Sequence, residues 1–269
     1  MPRSLQSRSV TDTLGDDVPA LIATPEGDAP VPFVLWMHGR TVHKELDPGR
    51  YQRWIRAGIG AVALDLPGHG QRYVEGSHDP SHTPEVVEQM VSEIDGVLAS
   101  IRERYPRMDL SRAAIGGMSA GGMATLRRLC DPHPFLAAAI EGTTGDLAGL
   151  YFDAENADTP HWPVEHDRAS VQRIDTAKHL DTFRPIPLLA LHNEGDELVP
   201  IGVQRAFLDR LGDHYQAQGA DRSLIRLETF VDTGAPAEHA GFGRYANDAK
   251  NIQLDFLSEA LLGERDAQR

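Results

Sequence analysis

The chain has 269 residues, 41% of them hydrophobic and 25% charged, with 26 Lys and Arg against 40 Asp and Glu for a formal charge of −14. That composition is ordinary for a globular protein with a substantial core, and the acidic balance argues against a nucleic-acid partner, since phosphate binding needs a basic face. Cys130 is the single cysteine, which excludes an intrachain disulfide; with no apolar core of signal-peptide length near residue 1 and no apolar run approaching the ~20 residues of a membrane span, a cytoplasmic setting and no membrane partner are expected.

Short apolar runs alternate with longer amphipathic ones, without internal repeats. VPALIATP (18–25) and PFVLWMHG (32–39) read as strands, and PGRYQRWIRAG (48–58) as a helix with Pro48 in its first turn. GAVALDLPGHG (60–70) is a strand running into a Gly/Pro loop. From Thr83 onward Val86, Val87, Met90, Val91, Ile94, Val97, Leu98 and Ile101 fall at helical spacing. AAIGGMS (113–119) is the next strand, GGMATLRRLC (121–130) the next helix, and FLAAAIEG (135–142) a further strand. Residues 146–185 are polar and irregular, after which IPLLALHNEGD (186–196) reads as a strand, GVQRAFLDRLGDHY (202–215) as a helix, SLIRLETFV (223–231) as a strand and residues 242–262 as a closing helix. Several strands are almost wholly apolar, as a sheet covered on both faces requires. The alternation predicts one α/β domain over 1–269, a doubly wound and mostly parallel sheet with helices on both faces.

In such sheets the reactive groups gather beyond the C-terminal ends of the strands. One of those ends reads GMSAG (117–121), a G-x-S-x-G pattern between a strand and a helix. A serine on so sharp a turn is lifted clear of the sheet, and the flanking glycines make room for the returning helix. Its hydroxyl becomes a nucleophile only when an oriented base takes its proton. For a serine on such an elbow the partners follow in the order acid, then histidine. His239, in the loop after the last strand, is the expected base; His161, His166 and His179 fall in the irregular insert, His214 on a helix, and His192 inside a strand end. The expected acid is Asp196, after the turn at Gly195, with Glu194 and Glu197 as solvated neighbours and Glu141, Asp146 and Asp232 as further strand-end carboxylates. A tetrahedral intermediate needs two N–H donors: the backbone of Ala120 supplies one, and Gly39 frees that of Arg40 to supply the other. The Arg40 side chain is open to a salt bridge elsewhere or to an anionic group of a substrate.

The segments HG (38–39), DLPGHG (65–70), GGMSAGG (116–122), LLALHNEGDELVP (188–200) and EHAGF (238–242) together resemble the α/β-hydrolase superfamily, over nearly the whole chain and in the right order. Within it the sequence is most similar to the dienelactone-hydrolase and prolyl-oligopeptidase-like serine esterases. The resemblance implies the α/β-hydrolase fold, with a sheet of the eight-stranded type, and a triad of Ser119, Asp196 and His239 beside an oxyanion hole at Arg40 and Ala120. It also implies that His69, in the D-x-P-G-H-G loop, is structural. Two departures stand out. Dienelactone hydrolases use a cysteine where this chain has Ser119, and the acid-bearing segment usually has glycine where this chain has Asn193.

Residues 147–183 fall where the superfamily often places a lid, and their Tyr151, Phe152 and Trp162 suggest a wall over the site; the alternative is a plain connecting helix. Thr41, His43 and Lys44 form a second candidate wall. His78, Asp79 and His82 lie close enough to suggest a metal site, but a solvated turn explains them better, and neither a metal nor a cofactor is expected. The leading expectation is hydrolysis of a small-molecule carboxylic ester of small to medium acyl group through an acyl-enzyme. A small peptidase or amidase is the second reading, with Arg40 or Glu141 meeting a charged terminus, and a non-catalytic binding protein is a remote third.

Overall fold

In a computed structural model of the chain, which describes residues 3–152 and 164–263, the apolar runs form the inner strands of one sheet. The elements in chain order are α1 (Arg3–Gln6), β1 (Ser9–Leu14), β2 (Val18–Ala23), β3 (Val31–Met37), α2 (Pro48–Arg56), β4 (Gly60–Leu64), α3 (Thr83–Arg104), β5 (Met108–Met118), α4 (Ala120–Arg128), β6 (Ala137–Glu141), α5 (Leu147–Phe152), α6 (Arg168–Ile174), β7 (Leu188–Asn193), α7 (Ile201–Ala217), β8 (Ile225–Phe230) and α8 (Ala246–Leu262). The sheet order is β1-β2-β4-β3-β5-β6-β7-β8. β2 pairs antiparallel with both β1 and β4, and every later pairing is parallel.

Two helical layers explain why β2, β3, β4, β6 and β7 are buried at every position. Phe33, Leu35 and Met37 of β3 point into a core shared with α3, α4 and α7, while Val34 and Trp36 point into a second core with α2 and α8. The chain crosses from β3 outward to β4 and back to β5, so the C-terminal ends of β3 and β5 border the crevice where ligands of such sheets bind.

Ser9–Leu14 is a strand that apolar pattern does not reveal. It is a sheet edge built of Ser, Thr and Asp, and only Leu14 is fully buried. It turns back into β2 through Gly15 and Asp17, both with positive φ. β5 likewise begins at Met108, five residues before the apolar run, because its first half, MDLSR, is polar. The irregular stretch holds α5, α6 and two 3₁₀ turns. Asp175, fully buried, ties these pieces together by accepting from the backbone N–H groups of Leu147 at 3.1 Å and Ala148 at 3.3 Å. Trp162 and His161 lie outside the described residues. Among the described residues no helix is long and apolar enough to cross a membrane.

Candidate active site

β5 ends at Met118, α4 begins at Ala120, and Ser119 between them has φ 50° and ψ −119°, a left-handed strain that a non-glycine residue adopts only when its surroundings enforce it. Its N–H donates to Glu141 O at 2.9 Å, and its carbonyl accepts from Met123 N–H at 2.9 Å and from the Thr143 hydroxyl at 2.9 Å. The flanking glycines are required by contact. A Cβ on Gly117 would stand 2.4 Å from the Gly121 carbonyl, and one on Gly121 would stand 2.4 Å from Met37 O. Gly116 and Gly122 are equally confined, the first against Ala139 O at 2.3 Å and the second against the Thr143 side chain at 2.5 Å.

The three residues expected as a triad meet here. Ser119 Oγ is 3.0 Å from His239 Nε2, and His239 Nδ1 is 2.8 Å and 3.0 Å from the two oxygens of Asp196. A carboxylate only accepts, so the Nδ1 facing it carries the ring proton, and Nε2 is left to accept from the serine hydroxyl. Asp196 is buried at the start of a turn where its Oδ1 also accepts from Leu198 N–H at 2.9 Å and Val199 N–H at 2.8 Å. The other strand-end carboxylates are engaged elsewhere. Glu194 pairs with Arg205 and Asp146 with Arg210, Glu197 and Asp232 are exposed, and Glu141 is paired with Arg50 at 2.6 Å and 2.9 Å.

Three residues that sequence reasoning gave no catalytic part shape this centre. His192, fully buried and held neutral because burial pushes its pKa down, donates from Nε2 to Val199 O at 2.8 Å and so fixes the turn that carries Asp196. Asn193 donates from its amide to Glu238 O and, at 2.9 Å, to Gly241 O, bracketing His239 from the strand that leads to Asp196. His38 Nε2 accepts from Leu66 N–H at 3.1 Å, so Nδ1 carries the proton and donates to Gly39 O at 2.6 Å. The C=O and N–H of a trans peptide unit point opposite ways, so this bond turns the Arg40 N–H away from His38. Gly39 lies close to Ser119: a Cβ there would stand 3.4 Å from Ser119 Cβ. The N–H groups of Arg40 and Ala120 make no hydrogen bond among the described residues. No sequence pattern announces His38 or Asn193; only the HG pair and the Asn-for-Gly departure mark their places.

A cavity of about 560 Å³ opens beside Ser119 and His239, within the range of small-molecule sites. Trp36, Leu46, Tyr51, Leu198 and Phe242 give it apolar walls, and Arg40, Thr41, His43 and the Arg50–Glu141 pair also line it. Lys44 does not, contrary to expectation: it is fully buried, with its ammonium donating to Asp65 at 2.7 Å and to Gln71 at 3.0 Å. Tyr151 and Phe152 do not line it either. The cavity opens toward α2 and α8, whereas the Tyr151 hydroxyl meets Met123 Sδ at 3.8 Å and its ring packs 4.5 Å from that of His166. Phe152 carries the Arg168 guanidinium on its face at 4.2 Å.

The remaining candidates have local roles. His69 Nδ1 donates to Pro67 O at 2.7 Å and its ring stacks on His78 at 4.6 Å, while Asp79 caps a 3₁₀ turn through Ser81 N–H at 2.9 Å. Among the described residues no group of three or more His, Cys, Asp or Glu is placed to hold a metal ion. Burial pushes the Cys130 thiol up to about 12, so it packs as a small apolar group.

A mostly parallel eight-stranded sheet with helices on both faces, carrying a strained serine on the turn between β5 and α4, is the α/β-hydrolase fold. The sequence model of the prolyl oligopeptidase family matches residues 78–263, more than half of the chain, and the chain belongs to that family. It is 27% identical to the esterase YjfP of Escherichia coli (strain K12) over 193 residues, 68% of this chain and 77% of that one. Among solved structures, TT1662 from Thermus thermophilus matches with a TM-score of 0.72 at 19% identity, over 96% of this chain and 100% of that one. A puromycin-hydrolyzing peptidase of Mycobacterium tuberculosis matches with a TM-score of 0.71 at 19% identity, over 97% of this chain and 40% of that one. The two structural matches speak to fold; the family makes the protein a serine hydrolase.

Proposed function

We propose that the protein hydrolyses small-molecule carboxylic esters of small to medium acyl group through an acyl-enzyme on Ser119. The observation that carries this is the unbroken relay from Ser119 Oγ to His239 Nε2 at 3.0 Å and from His239 Nδ1 to Asp196 at 2.8 Å. His239 takes the serine proton as Oγ attacks the ester carbonyl, and Asp196 stabilises the imidazolium that forms. The oxyanion is received by the N–H groups of Ala120, at the start of α4, and Arg40. The imidazolium then protonates the departing alcohol. Water enters and attacks the acyl carbon as His239 accepts its proton; the imidazolium then returns that proton to Ser119 Oγ as the acid leaves. The lid expected over 147–183 falls partly outside the described residues, and none of its described residues lines the cavity.

The family match favours a second reading, a peptidase or amidase using the same residues. An amine is a poorer leaving group than an alcohol and depends more on protonation by His239, so 4-nitrophenyl esters and 4-nitroanilides of one acyl group separate the readings. The ester reading expects turnover of the esters well above that of the anilides. A labelled but esterase-inactive protein that cleaves anilides overturns it. Fluorophosphonate labelling that survives Ser119→Ala overturns the assignment of the nucleophile.

A further inference from the structure

Most charged groups around the cavity neutralise one another. Arg50 pairs with Glu141 and Lys250 with Asp47 at 3.4 Å. Arg40 lines the same cavity but joins no ion pair among the described residues. Among the described residues the one hydrogen bond of its side chain goes to the carbonyl of His78, and its buried Nε has no partner. The Asp79 carboxylate acts on it only through space, being held by the Ser81 N–H at 2.9 Å and hydroxyl at 2.6 Å. The stacked rings of His69 and His78 add no counter-charge; burial holds His69 neutral, with its pKa pushed down to about 4.

An arginine keeps its proton in proteins. A guanidinium drawn partly out of water with no directly paired carboxylate among the described residues therefore costs stability, and an anion arriving with the substrate would offset that cost. The position suits this. Arg40 follows Gly39, which touches Ser119. Arg40 thus borders the cavity beside Ser119, together with the apolar walls of Trp36, Leu46, Tyr51, Leu198 and Phe242.

We propose that Arg40 is a specificity-determining residue that binds a carboxylate carried by the ester a few bonds from its scissile carbonyl, so that the preferred substrates are anionic esters such as the half-esters of short dicarboxylic acids. This rests on the Ser119 reading. A guanidinium can receive both carboxylate oxygens, which fixes orientation as well as charge.

The test compares matched esters, each rate normalised to base hydrolysis. Mono-4-nitrophenyl glutarate against 4-nitrophenyl pentanoate places the charge on the acyl side; 4-(butanoyloxy)benzoate against phenyl butanoate places it on the alcohol side. Wild type, Arg40→Met and Arg40→Lys are assayed, each with fluorophosphonate labelling. The expected result is a preference in kcat/KM for the anionic member of one pair by about tenfold or more, lost in Arg40→Met chiefly through KM and partly kept in Arg40→Lys. A labelled wild type with no preference in either pair overturns the proposal. So does an Arg40→Met variant that keeps the wild-type ratio. A wild type that does not label at Ser119 overturns the serine reading, and the proposal falls with it.

Discussion

Gly117→Ala tests the packing that raises Ser119. The added methyl would stand 2.4 Å from the Gly121 carbonyl carbon and oxygen and 2.8 Å from Met37 O, where ordinary contact begins at 3.4 Å. The overlap is therefore about 1 Å (3.4 − 2.4), and every atom it meets is backbone, so no side chain can rotate aside. The last turn of β5 and the first of α4 must part, and Ser119 lies between them. A displacement near 1 Å at a reacting group costs about 10²-fold in rate, and overpacking of this kind costs about 1–3 kcal/mol of stability. Gly202→Ala, in the first turn of α7, is the control: nothing lies within 4 Å of its Cβ position, and Ala in a helix gains about 0.5–1 kcal/mol over Gly. The assay is kcat/KM on 4-nitrophenyl acetate, with the urea midpoint of each variant. A folded Gly117→Ala protein whose kcat/KM stays within about threefold of wild type would refute the claim that this close passage sets the nucleophile.

Asn193→Ala leaves the carbonyls of Glu238 and Gly241 without their side-chain donor; stability should fall by about 1–3 kcal/mol and kcat by about tenfold with KM little changed. A wild-type kcat there would mean that the His239 loop holds itself. His69 sets a pH dependence: its folded pKa is pushed down to about 4 by burial, from an ordinary 6.5. Between those values the unfolded chain binds a proton that the folded one does not, so stability falls as pH drops through that window. Urea unfolding at neutral pH and near pH 4 should show that loss reduced by about 1–3 kcal/mol in His69→Asn; an unchanged loss would mean that other groups carry it.

The parts of the fold that were legible in sequence are those whose burial is complete. β2, β3, β4, β6 and β7 have water on neither face, so every position is apolar and the run announces itself. β1 escapes because an edge strand needs only Leu14 inside. The turn that carries Ser119 was legible for a different reason: a strained serine between strand and helix demands small neighbours, and the glycines survive in the sequence as a pattern. The geometry added what pattern does not encode. The helpers His38, His192 and Asn193 act through backbone carbonyls whose own identities are arbitrary, so no residue pairing reveals them. The walls fail for the complementary reason. Tyr151 and Phe152 are large and apolar enough to line a site, yet size and hydropathy do not say which side of α4 they pack on.

The sheet order explains why three strands suffice to hold the centre. β5, β6 and β7 are neighbours, and each passes a constraint to the next. Ser119 N–H donates to Glu141 O at the end of β6, and Gly142 N–H donates to Leu191 O on β7. From β7, Asn193 reaches across to the His239 loop. Glu141 joins this backbone chain to the cavity, since its carboxylate is clasped by Arg50 and receives the Gln253 amide at 3.0 Å from the α8 layer. Gly142, at φ 50°, follows beside the relay, with its Cβ position in ordinary contact range, 3.5 Å from the His239 ring and 3.6 Å from Asp196 Oδ2. The relay is thus preorganised by the ladder of the sheet itself. A disturbance at the end of β6, which contributes none of the three relay side chains, reaches Ser119 through the bond from its N–H to Glu141 O.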